Sequence, residues 1–200
     1  MTSFAALQRL ARRPEPLEHC DLCGSGLGQA HQHLLDPIAN KLICSCDPCT
    51  MLFSEAGQTK YKRVPRRARL LSNFQLSDGQ WENLMIPIGL AYFVQKSVEN
   101  RVVAQYPSPA GATESLLTLE AWTDLISENP TLEKMLADVE VLLVNRLVRP
   151  AEYYLAPIDK AYELVGLIRS NWHGLSGGTE VWQKIRSFFD QLREGSQCLT

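Results

Sequence analysis

The chain has 200 residues, of which 45% are hydrophobic and 21% charged, with a formal net charge of −2. That composition excludes collagen-like, low-complexity and disordered classes, and so small a net charge argues against a nucleic-acid or membrane binder acting over its whole surface. The longest apolar stretch, Leu84 to Val94, is 11 residues and too short to span a bilayer; with no signal-like N-terminus, a cytoplasmic protein with no membrane span is expected.

Charge and cysteine are unevenly placed. Residues 1–69 hold ten basic and six acidic residues, residues 70–200 ten and sixteen, and five of the six cysteines lie between Cys20 and Cys49. This divides the chain into an N-terminal tail (1–16), a Cys-rich metal-binding module (17–59), a basic connector (60–71) and a larger α+β domain (72–200).

The module reads Cys20-x2-Cys23, then Cys44-x-Cys46-x2-Cys49. Two C-x-x-C pairs, each aiming two sulfurs at one point, have zinc-ribbon spacing. Gly24 permits the left-handed backbone that such a turn needs. The stretch between them supplies the hairpin that joins the pairs: HQHLLD as one strand, PIAN as turn and KLICSC as the return. Cys20, Cys23, Cys46 and Cys49 are the expected ligands of a closed tetrahedral site, with Cys44 the alternate. Zinc is the expected metal and iron in a rubredoxin-like site the alternative; disulfides do not suit a chain with no mark of secretion. His19, His31 and His33 stand in reserve or are plain surface residues. A module this small buries too little apolar surface to fold alone, and structural zinc contributes roughly 10–16 kcal/mol in comparable peptides.

The connector, KYKRVPRRAR, has six basic residues in ten. It suits a solvated linker, a strip lying on the acidic domain or phosphate contacts, but it lacks the interleaved aromatics of a single-strand platform. Nucleic acid is therefore not the expected partner.

Further along, Ser77 caps a short helix over 77–84. GLAYFVQKS and RVVAQYPS form an antiparallel hairpin, and PSPAGATES follows as a loop. Leu119–Glu128 is a helix ended by Asn129-Pro130, with a second short helix over 131–136. VEVLLVNRL is a strand by its Val content, and EYYLAP returns beside it. Two helices close the chain: 158–172, largely buried, and 179–194, which carries one apolar stripe with Thr179 as N-cap. A small antiparallel sheet with helices packed against it is the expected fold of this domain.

Chemistry in the C-terminal domain is sparse. Ser108, Glu114 and Ser115 fall in the PSPAGATES loop, and Asp138 and Asp159 are scattered acids, Asp159 doubling as a helix cap. His173, Gly177 and Gly178 belong to WHGLSGGT, a Gly-rich loop feeding a helix N-terminus but lacking a P-loop lysine. These eight form a pocket only if the fold gathers them; a serine with His173 would make a nucleophile–base pair on the same condition. No catalytic residue is assigned.

CDLCG, HQHLLD, CSCDPCTMLF, YKRVP, IPIGLAYF, YPSPAGATES, DVEVLLVNR, PIDKAYELVGLIR and WHGLSGG together resemble an uncharacterised bacterial protein family encoded beside nickel–iron hydrogenase genes. The resemblance runs over residues 17–194. It implies a non-catalytic accessory role in hydrogenase assembly, maturation or complex formation, with a hydrogenase subunit or maturation factor as protein partner. It lends a function, metal ligation, only to Cys20, Cys23, Cys44, Cys46 and Cys49. An iron electron carrier and a zinc-ribbon nucleic-acid regulator are the alternatives.

Overall fold

Two antiparallel arrangements organise the chain, and the basic segment feeds both. The computed structural model describes residues 18–54, 60–115, 117–174 and 176–199; the expected N-terminal tail, 1–16, lies outside them. β1 (Gln32–Asp36) and β2 (Lys41–Ser45) form the hairpin expected of the module, with Asn40 left-handed in the turn. Asp36 Oδ1 accepts from the backbone N–H groups of Ile38 and Ala39 and so fixes that turn. β3 (Lys62–Arg63) adds to the other edge of β1, giving the order β2-β1-β3. Residues 60–71, read from sequence as a connector, thus supply β3 here and β4 (Arg69–Leu71) to the second sheet.

The second sheet has seven strands in the order β10-β4-β9-β8-β5-β6-β7. They are β5 (Leu90–Lys96), β6 (Arg101–Ser108), β7 (Gly111–Ser115), β8 (Glu140–Asn145), β9 (Glu152–Pro157) and β10 (Gln197–Leu199), with β4. Every pairing is antiparallel except β10 with β4. The sheet is larger than expected, and one expectation is corrected: PSPAGATES is not a loop but the β6–β7 hairpin, turning at Pro109–Ala110.

Helices cover both faces. Along β8, Val141 and Leu143 face one side with Leu90, Tyr92, Tyr154 and Ala156; Leu142 and Val144 face the other with Ala91, Phe93 and Leu155. This period-two division explains why β8 is an unbroken apolar run: both faces are buried. α4 (Ile158–Asn171) and α5 (Gly178–Glu194) cover the first face, burying Ala161, Leu164, Ile168, Val181, Ile185 and Phe189. The second face takes Trp122 and Leu125 of α3 (Leu119–Glu128) and Leu132 of a short 3-10 helix, Pro130–Lys134, which stands where the second short helix is expected; α2 (Asp78–Asn83) lies before it with partly buried Trp81. The fold is α+β.

The small sheet is not free of the large one. Leu35 of β1 and Val64 after β3 are buried in the same core as β5, β8 and α4. Lys62 of β3 reaches Asp138 Oδ2 at 2.5 Å, and Arg69 of β4 reaches Glu140 at 2.7 Å.

Candidate metal centre

Each C-x-x-C pair is built by a different local device. At the first, the backbone folds back on itself: Gly24 N donates to Cys20 O and Cys20 N to Ser25 O, both at 2.8 Å. Gly24 takes φ +74°, a left-handed value that a side chain disfavours, so the glycine is what lets the turn close under Cys23. At the second pair the turn is a helix start. Cys46 is the N-cap of α1 (Asp47–Phe53), and Cys49 lies in its first turn, with Pro48 preset for the helix. Sulfurs here lie near the positive end of the helix dipole.

The hairpin brings the two devices together. Asp21 Oδ2 accepts from Cys44 N at 2.8 Å and Asp21 N donates to Cys44 O at 2.9 Å, pinning the first turn to β2. Cys20, Cys23, Cys46 and Cys49 then present sulfurs that all lie within 4.8 Å of one another. Cys23 Sγ and Cys46 Sγ are 3.7 Å apart. A tetrahedron with zinc–sulfur bonds of about 2.3 Å has edges of about 3.8 Å, so this separation fits a shared ion. The cysteines are free thiols. Cys20 and Cys49 are buried with Leu27, while Cys23 is exposed at the rim.

Electrostatics also favour a cation. Burial works to raise the Cys20 thiol, yet backbone hydrogen bonds at Cys46, Leu22 and Cys23 hold it down at about 6. The Ser25 hydroxyl, 3.2 Å away, lowers Cys23. Burial pushes Cys49 up to about 12, and the neighbouring sulfurs of Cys46, Cys23 and Cys20 add to the rise. Four sulfurs packed this closely ionise together only if a positive ion sits among them. Cys44, the alternate ligand, lies outside this group; burial, then the charges of Asp21 and Glu18, raise its thiol.

The remaining sequence candidates serve other ends. Ser108 Oγ accepts from Ala110 N and Thr113 Oγ1, closing the β6–β7 turn. Glu114 pairs with Arg101 at 2.7 Å, and the Ser115 hydroxyl donates to the Leu84 carbonyl. Asp138 accepts from Ser97 N at 2.8 Å, Ser97 Oγ at 2.5 Å and Lys62. Asp159 does not cap α4, whose N-cap is Pro157; its Oδ2 lies 2.8 Å from His33 Nδ1. His173 bridges to Gly177 in the α4–α5 turn. Thr179 is not the cap of α5 either: Gly177 is, at φ +84°, where a Cβ would meet Val181 at 2.8 Å, and Gly178 opens the helix. Of these eight, His173 and Gly177 are joined by a backbone hydrogen bond, His173 N donating to Gly177 O at 3.2 Å within the α4–α5 turn, while the side chains of Ser108, Glu114, Ser115, Asp138 and Asp159 are tied to residues outside the set.

Sequence reasoning missed the partners of His33 and Asp138. Each lies far along the chain, Asp159 for His33 and Lys62 for Asp138, and only the register of the folded sheets reveals them.

A model described as a family of unknown function, DUF5947, matches residues 19–196, so the match spans the metal module and both sheets, and the chain belongs to that family. No curated protein and no solved structure matches the chain.

Proposed function

We propose that this member of the DUF5947 family is a non-catalytic accessory protein whose four-cysteine site holds zinc and rigidifies a surface that docks a protein partner, in nickel–iron hydrogenase assembly, maturation or complex formation. The carrying observation is the convergence of Cys20, Cys23, Cys46 and Cys49 around one point. A closed set of four thiolates stabilises a fold and leaves no position for substrate. The hydrogenase setting rests on the sequence resemblance alone.

The site's position favours docking. α1 begins at two of the ligands, and just beyond them it exposes Met51 (69%), Leu52 (71%) and Phe53 (42%). Consecutive exposed apolar side chains on an element fixed by a metal suit recognition of an apolar surface. The basic run favours nucleic acid poorly, since Lys60 pairs with Asp36, Lys62 with Asp138 and Arg69 with Glu140. Iron at the same thiolates is the second reading, favoured by the exposure of Cys23 at the rim, which would shorten an electron path. Free thiols suit a reducing cytoplasm, and among the described residues no helix is long and apolar enough to cross a membrane.

The test is co-purification from cells that express a nickel–iron hydrogenase. The tagged full chain is expected to retain a hydrogenase subunit or maturation factor, and Leu52→Asp to lose it while keeping its zinc. Absence of both from the wild-type eluate, or unchanged retention by Leu52→Asp, contradicts the docking role.

A further inference from the structure

The β1–β2 hairpin and His31, the residue just before it, gather a second set of side chains of metal-ligating type, on the face turned toward α4. Residues two apart along a strand share a face, so His31 and His33 stand together, their ring centroids 4.8 Å apart. The hairpin register sets Cys44 directly opposite His33. A ring nitrogen from each histidine and Cys44 Sγ all lie within 4.8 Å of one another.

The rings are oriented from behind. His33 Nδ1 is 2.8 Å from Asp159 Oδ2, which α4 supplies. His31 Nδ1 is 3.0 Å from the Gly28 carbonyl oxygen and 3.3 Å from Glu18 Oε2. With Nδ1 engaged on each ring, Nε2 is the nitrogen left for a ligand, and His31 Nε2 is buried with no hydrogen-bond partner. A buried, unpartnered ring nitrogen is costly unless something takes up its lone pair. A carboxylate or carbonyl on the far nitrogen is the arrangement that orients metal-binding histidines.

We propose that His31, His33 and Cys44 form a second metal site, separate from the four-cysteine site, for a divalent late first-row transition ion. Two imidazoles and one thiolate match the ligand preferences of zinc, cobalt and nickel. Three protein ligands leave one position for water or an incoming group, as in exchangeable or reactive sites rather than closed structural ones. Asp159 is a positioning residue here: it touches His33, not the ion. Because it belongs to α4, an ion at this site would tie the hairpin to the large sheet. The proposal does not depend on the partner assigned above.

Cobalt(II) added to the full chain carrying one zinc is the direct probe, since zinc outcompetes cobalt at like ligands. One further equivalent of cobalt is expected, with visible d–d absorption and a thiolate-to-cobalt charge-transfer band. Cys44→Ser should remove that band and His33→Ala the binding, both with zinc still at one per chain. Asp159→Asn, with an unchanged circular dichroism spectrum, should weaken cobalt by about 10–100-fold. Absence of a second equivalent overturns the site, as does a charge-transfer band that survives Cys44→Ser. If His33→Ala does not fold, the Cys44→Ser spectrum decides alone. Zinc content in Cys46→Ser reports on the four-cysteine site separately, so either reading can fail without the other.

Discussion

Asp138 sits at φ +72°, a left-handed backbone, and is nearly enclosed between the two sheets. Burial works against its charge, but the Lys62 ammonium and two donors from Ser97 outweigh it, so the carboxyl lies below its ordinary range. A folded-state pKa depressed in this way contributes stability above the unfolded value of about 3.9, and the contribution is lost as pH falls through the folded value. Asparagine keeps the shape and tolerates the left-handed backbone, so Asp138→Asn isolates the charge. At pH 7 it should destabilise by about 1–3 kcal/mol. Urea unfolding across pH is expected to show the gap from wild type closing below about pH 4; a gap constant down to the acid limb would contradict this. At this scale the four-cysteine cluster was legible, because a C-x-x-C pair encodes its own local geometry. The set His31, His33 and Cys44 was only half legible. H-x-H and the turn residues are visible, but joining them to Cys44 requires the register that places position 33 opposite 44.

Among the elements, β8 holds the large sheet together. It lies between β9 and β5, and all six of its residues are buried. Leu143 packs with Tyr92, Tyr154 and Leu164 in the core that also includes Leu35 and Val64. Leu143→Ala should cost 2–5 kcal/mol, on the order seen for buried leucines, read as a lowered urea midpoint with little change in slope; a loss under about 1 kcal/mol would mean that the core closes over the gap. Val-rich runs, amphipathic stripes and N-cap signals made β5, β6, β8, β9 and α2 to α5 readable, whereas α1, which starts at the second C-x-x-C pair, was not. β3, β4 and β10 were not, since they are two or three residues long and their pairing partners are remote. β4 and β3 also lie in a basic run that suits a solvated linker as well as a strip on the acidic domain. The partners Asp138 and Glu140, 76 and 71 residues on, favour the strip. The Pro-Gly composition of PSPAGATES likewise signals a turn without showing that strands continue on both sides of it.

For the molecule as a whole, the division into a metal module and an α+β domain describes how the chain is composed, while the packing joins them. Leu35 and Val64 enter the large core, and the His33–Asp159 and Lys62–Asp138 contacts bridge the same boundary. The metal end nevertheless has little of its own beyond Cys20, Leu27 and Cys49 at its centre. So small a cluster cannot offset the entropy of ordering two turns and α1, which is why the ion is central to the account. α1 exposes Met51 and Leu52 just beyond Cys46 and Cys49, so an ion held by those sulfurs would fix their position. The most direct measurement is elemental analysis of metal per chain, on wild type and Cys46→Ser, both purified without oxygen. Zinc without iron is expected in the wild type, with a loss of one zinc per chain in the variant. Iron in the wild type, or a zinc content that Cys46→Ser leaves unchanged, would contradict this.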